Sequence, residues 1–226
     1  MSNNAVSARR WKIVEAVVQK RTRGRPRDTS KDAAIILAAQ RLFLDRGFEG
    51  TSMDAVAEAA GVAKATVYAR FGDKEALLKE AITEKCGRFL DAGTLEPRTS
   101  RSLRQSLSTI ARRFLALVTD PDAVSLHRVM MAEGQRHPRL PELFFQSAIE
   151  PTQAKLVAFL QAGIDDGRLV IDDPPTAAWQ FLAMVKGEAF MRAMLYQPPR
   201  PAAQIEAYVD ACVDMFLAAY GRPPER

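Results

Sequence analysis

The sequence predicts an all-α fold, with a small N-terminal three-helix unit of helix-turn-helix type followed by a larger helical domain. Three observations carry this. After residue 98 every strong segment places apolar residues at three-and-four spacing. Breaks between these segments fall at Pro121, Pro138, Pro141, Pro151, "DDPP" and "QPPRP". No hairpin, alternating strand or internal repeat is present, and the one strand-like run, "GRLVIDD" at 167–173, reads better as a linker.

The bulk properties agree. The chain has 226 residues, 47% of them hydrophobic, which is ample for a core. Cys86 and Cys212 match no metal or redox spacing, so they read as buried structural thiols in a reducing compartment. No apolar run approaches the roughly 20 residues that span a bilayer, and the N-terminus lacks the apolar centre of a signal peptide. A cytoplasmic protein without membrane association is expected. The net charge of +5 is unevenly placed. Residues 1–27 hold eight Lys/Arg and one acidic residue, 8 − 1 = +7; residues 28–226 hold 24 and 26, which sum to −2. Basicity confined to one end points to a polyanion such as nucleic acid, with a solvated tail as the plainer alternative.

The elements follow in order. Residues 8–20 place Trp11, Val14 and Val18 at helical spacing. Gly24 and Pro26 then forbid a helix in "RTRGRPRDTS" and leave an extended arm. Ile35, Ile36, Ala39, Leu42 and Phe43 predict a helix over about 30–47, closed by Gly47 as a C′ glycine. Thr51 and Ser52 are good caps for a helix over about 52–60. Gly61 permits a sharp turn into a short helix at 64–70, and Asp73 can cap the helix after it. Further helices are expected over roughly 101–119, 121–136, 140–149, 151–167, 174–196 and 202–220. The domain boundaries read as 1–27 for the basic arm, 28–75 for the helix-turn-helix unit and 76–226 for the larger domain.

The stretch "GVAKATVYARFGDKEAL" is informative. A helix this short is marginal alone, so neighbours must hold it. Val67 and Phe71 lie four apart on one side, with Val56, Ala57, Ala60 and Val62 available to pack there. The remaining side chains are left free to enter a major groove, which is the helix-turn-helix plan.

"GFEGTSMDAVAEAAGVAKATVYARFGDKEALLKEAI" resembles the DNA-binding domain of TetR-type transcriptional regulators over roughly residues 30–83. The Gly47–Phe48 turn, the Thr51–Ser52 cap, the turn at Gly61, and Thr66, Val67 and Tyr68 followed by Phe71, Lys74 and Glu75 carry the likeness. "RVMMAEGQRHPRLPELFF" and "DDGRLVIDDPPTAAWQFLAMVKG" resemble the subgroup with an AefR-like C-terminal domain. The resemblance implies that Lys64, Ala65, Thr66 and Arg70 face the major groove. It implies that Tyr68 and Lys74 contact phosphates, and that Thr51 or Ser52 offers a hydroxyl at a helix N-terminus. Residue chemistry is compatible, since Lys and Arg read guanine edges and a Thr methyl touches a thymine methyl. Ala65 and Ala69 offer no polar contact, so base reading would rest on few side chains. "RGRPR" resembles an AT-hook core, which would send Arg23, Arg25 and Arg27 into a narrow minor groove. An unspecific basic tail is the alternative.

In the larger domain the last two helical segments are apolar on more than one side. Trp179, Phe190, Ile205, Val209, Cys212, Val213, Phe216 and Tyr220 are therefore candidates for a homodimer interface, as the resemblance also implies. A deeply buried internal pair is the alternative. Phe89, Phe114, Met130, Met131, Phe144, Phe145 and Met184 suit a pocket for a small hydrophobic effector, with His127 and Glu188 as polar groups. Ordinary core is the alternative for each.

The expected function is a dimeric repressor that binds a palindromic double-stranded operator and is released by that effector. The competing reading is a DNA-binding regulator without an effector, controlled by a protein partner or by abundance. A helical enzyme is disfavoured: His127 and His137 are the only histidines, and no nucleophile, nucleotide or metal motif is present. No cofactor and no metal are expected.

Overall fold

The computed structural model describes residues 29–89 and 102–222, with backbone only for Thr29, Arg88 and Phe89. The helix expected at 8–20 and the arm at 23–27 lie outside the described residues. The described elements are α1 (Thr29–Arg46), α2 (Met53–Ala59), α3 (Lys64–Phe71), α4 (Lys74–Phe89), α5 (Leu103–Thr119), α6 (Pro121–Glu133), α7 (Arg139–Phe144), a π turn (Phe145–Ile149), α8 (Glu150–Asp165), α9 (Pro174–Met194) and α10 (Ala202–Tyr220). The fold is all-α.

Local chemistry accounts for the boundaries. Gly47 ends α1 at φ 70° and Gly61 makes the α2–α3 turn at φ 66°, both in the left-handed region that favours glycine. Ser52 caps α2 by accepting from Ala55 N at 3.1 Å, and Asp73 caps α4 by accepting from Ala76 N at 2.8 Å. Ser102 and Gln105 form a capping box at the start of α5. Asp120 and Asp173 cap α6 and α9 ahead of prolines in the first turn.

Several expectations need correction. Neither Pro141 nor Pro151 breaks the chain, because Pro141 lies in the first turn of α7, and α7, the π turn and α8 run on without a gap. Before Pro151 the backbone widens, with Glu150 N–H reaching Phe145 O, and so absorbs the ring and the missing donor. The 167–173 linker is not isolated either. Leu169 forms a single antiparallel bridge with Gly221, with Val170 N donating to Tyr220 O and Arg222 N to Arg168 O. Gly221 and Arg222 of the tail are thereby tied to the body.

Two apolar clusters organise the chain. The first joins Ile35, Ala39, Leu42, Phe43, Val56, Ala57, Val67, Leu77, Leu78 and Ile82. It also takes in Met130, Leu140, Phe144 and Ala148, so α6, α7 and the π turn pack directly on the N-terminal helices. The second unites α5, α8, α9 and α10 through Leu107, Ile110, Phe114, Leu160, Phe181, Val185, Val209 and Phe216, among others. It corrects the expected interface. Val209, Cys212, Val213 and Phe216 are at most 4% exposed within one chain, so they are core. Ile205 packs against the same cluster, and Tyr220 packs on Phe216 and donates to Gln180 Oε1 at 2.5 Å. A near-continuous apolar helix reads the same whether its second face meets its own chain or another; only packing separates them.

Midway along α9 the backbone leaves helical geometry at Gly187 (φ 32°, ψ −141°). Beside this kink the Tyr208 hydroxyl donates to Met184 O at 2.6 Å.

Candidate nucleic-acid interface and apolar cavity

The packing of α3 sets its exposed face. Val67 is fully buried and anchors the helix. Lys64, Ala65, Tyr68 and Ala69 are exposed and Thr66 is half-buried, with Tyr68 49% open to solvent. Lys64 pairs with Asp54 of α2, and both side chains are largely exposed. Such an exposed pair contributes little to stability. Ser52 is exposed at the N-terminus of α2.

Three expected contact residues have other partners. Thr51 is 2% exposed, with its Oγ1 3.0 Å from Leu42 O and 2.8 Å from Gly47 O. It seals the end of α1 instead of facing outward. Arg70 pairs with Asp32 of α1, and both are half-buried. Lys74 donates to Phe48 O at 2.8 Å and lies 4.2 Å over the Phe48 ring, which in turn stacks on Phe43. Lys74 thus clamps the turn after α1. Arg23, Arg25 and Arg27 lie outside the described residues.

A cavity of about 320 Å³ lies where the two halves meet. Gln40, Phe43 and Leu44 of α1 and Leu78, Ile82, Lys85 and Cys86 of α4 form one wall. Phe114, Leu126, His127, Phe144, Phe145, Thr152, Trp179, Leu182 and Lys186 form the other. Burial pushes the Cys86 thiol up to about 11, so it is an apolar wall group. His127 Nδ1 donates to Ala123 O at 2.9 Å, and burial holds its imidazole below the ordinary value. Its ring sits edge-on between Phe144 and Phe190. Lys85 bonds Asp120 at 2.9 Å and Asp122 at 2.7 Å.

Of the residues expected in a pocket, Phe114, His127, Phe144 and Phe145 line this cavity. Met130 is core between the halves, Met131 is 72% exposed, and Met184 packs on the second cluster. Glu188 is on the surface, paired with Arg192 at 2.7 Å and Arg200 at 2.9 Å. Phe89 ends α4, with its side chain outside the described residues. Trp179, expected at an interface, faces the cavity and stacks on Phe145. Phe190 stands behind His127. The contribution of α1 and the role of Lys186 were missed. The first has no sequence signal; the second did, as the one charge in the apolar run "WQFLAMVKG".

Comparison with known proteins adds the class. Residues 35–81 match the family model of bacterial regulatory proteins of the tetR family, and residues 105–222 match the C-terminal domain of AefR-like transcriptional repressors. The chain is 31% identical over 150 residues to the HTH-type transcriptional regulator YdeS of Bacillus subtilis, covering 65% of this chain and 71% of that one. A TetR-family regulator structure from Mesorhizobium loti aligns at TM-score 0.73 and 30% identity, over 88% of this chain and all (100%) of that one. The flavonoid-responsive regulator FrrA aligns at TM-score 0.71 and 37% identity, over 86% and 98%. The chain belongs to the TetR family of transcriptional regulators, with an AefR-like C-terminal domain. Its relatives are regulators and not enzymes. Among the described residues no helix is long and apolar enough to cross a membrane, and no group of His, Cys, Asp and Glu could hold a metal ion.

Proposed function

We propose that the protein is a dimeric repressor that binds a near-palindromic operator through α3 and is released when a small, mainly hydrophobic molecule enters the cavity. The observation that carries this is the shared wall: α1 of the DNA-binding unit and α4, α5, α6 and α9 of the larger domain line one space. An occupant touches both halves and can bias how they are set. Such a ligand must favour the conformation with wrongly placed α3 helices, since equal affinity for both conformations shifts nothing. The name of FrrA as flavonoid-responsive supports an effector in this branch of the family.

Dimerisation is supported by the face of α9 and α10 left over after core packing. Met191, Leu195, Tyr208 and Met215 are 55%, 60%, 40% and 63% exposed there. Two such pairs of helices can cover one another and place two α3 helices on one duplex, about 34–36 Å apart or a multiple of one turn.

Selection of retained duplexes from a random pool gives the operator, its symmetry and its spacing. A panel of hydrophobic compounds is then titrated with and without that operator. A coupling of roughly 1–3 kcal/mol weakens DNA binding about 5- to 150-fold, and DNA must weaken ligand binding by the same factor. A monomer with full affinity for an asymmetric site contradicts the dimer. Binding of no compound by the panel favours control by a protein partner or by abundance.

A further inference from the structure

The cavity is not uniformly apolar, and its charges are not all matched. Lys85 at the α4 wall is met by two carboxylates, those of Asp120 and Asp122. Lys186 on α9 is not. Among the described residues no carboxylate lies within 4.0 Å of its ammonium group, the limit for an ion pair. Its Nζ rests 3.7 Å over the Phe190 ring, and its charge also acts on the neighbouring His127. An aromatic face attracts a cation but does not neutralise it. His127 adds no counter-charge: its Nδ1 proton is committed to Ala123 O, which leaves Nε2 as an acceptor in the neutral ring.

A half-buried cation without a counter-ion costs free energy that a ligand can recover. Burial already holds the Lys186 ammonium below its ordinary value. The rest of the adjoining wall is Phe114, Phe144, Trp179 and Leu182, which accepts a flat or aliphatic body. The volume is near the lower end of small-molecule sites, roughly 300–1,000 Å³.

We infer that the ligand of this cavity is an amphipathic organic acid, with its carboxylate against Lys186 beside His127 and its apolar body between Phe114, Phe144 and Trp179. The inference rests on the effector reading above and narrows it from a hydrophobic compound to a hydrophobic monoanion.

The test uses the full chain and matched probes: 1-naphthoic acid, 4-phenylbenzoic acid and decanoic acid, each with its primary amide. Binding is read by titration calorimetry near pH 7.5. The acid should bind more tightly than its amide by roughly ten- to a hundredfold, the range of a charge-assisted hydrogen bond in a desolvated site. Lys186→Met keeps an unbranched apolar stem without the ammonium group, so it should abolish that preference while amide binding persists. Lys186→Arg should retain it. Thermal melts of each variant show that it is folded. Amides that bind wild type as well as the acids overturn the anion proposal and leave the effector reading standing. An acid preference that survives Lys186→Met overturns the assignment to Lys186. If neither acids nor amides bind, both this proposal and the effector reading fall.

Discussion

Thr51→Val separates two roles that the residue type permits, contact with DNA or closure of α1. Valine keeps the shape and replaces the hydroxyl by a methyl. In the fold that hydroxyl lies 3.0 Å from Leu42 O and 2.8 Å from Gly47 O, and the residue is 2% exposed. Its single proton serves one carbonyl at a time. The substitution loses that bond and presses a methyl against oxygens that water cannot reach, a cost of about 1–3 kcal/mol. For a chain of this size, with roughly 2–4 °C per kcal/mol, the midpoint of thermal unfolding should fall by about 2–12 °C. Thr51→Ser keeps the hydroxyl and should lose less. The assay is a melt followed by circular dichroism, with binding to a selected duplex measured well below the transition. Folded Thr51→Val should bind that duplex nearly as wild type does. A variant of unchanged midpoint that binds DNA poorly refutes the argument and returns the hydroxyl to the DNA surface.

Gly187→Ala should cost about 2 kcal/mol or more, because φ of 32° is strained for a side chain and the new Cβ would meet the Tyr208 hydroxyl. Tyr208→Phe in the same chain should recover part of that loss in a double-mutant melt; strict additivity would exclude the clash as its cause. His127 has a depressed pKa in the fold, so the folded state binds fewer protons than the unfolded chain. Its contribution to stability is complete above the unfolded value near 6.5 and is lost as pH falls through the folded value. Midpoints measured from about pH 7.5 down to about pH 5 should therefore fall less steeply in His127→Gln; parallel curves would show that His127 does not carry the effect. Deleting residues 1–27 removes 8 − 1 = +7 of charge, so DNA affinity should drop and its salt dependence become shallower. A larger loss on A/T-rich flanks than on G/C-rich ones supports minor-groove contact by the arm, and an equal loss leaves only unspecific charge.

Local chemistry was legible in the sequence because its causes lie within a few residues. Apolar spacing located α1 to α6, α9 and α10, and the glycines at 47 and 61 marked turns that need positive φ. The helix-turn-helix plan followed from a helix too short to stand alone. Pro151 was misread because proline is a local signal, whereas the π turn that accommodates it is held by packing on both sides. Partner choice needed the tertiary structure throughout. Thr51 could cap, contact DNA or bond a carbonyl, and only the approach of α1 decided for the carbonyl. Val209 and Phe216 could face a second chain or their own, and α5 decided it by packing against them. The cavity was least legible, since α1, α4, α5, α6 and α9 build it from residues more than 140 positions apart. Periodicity reports that a face is apolar; which surface removes it from water is set by how distant helices pack, and no local pattern encodes that.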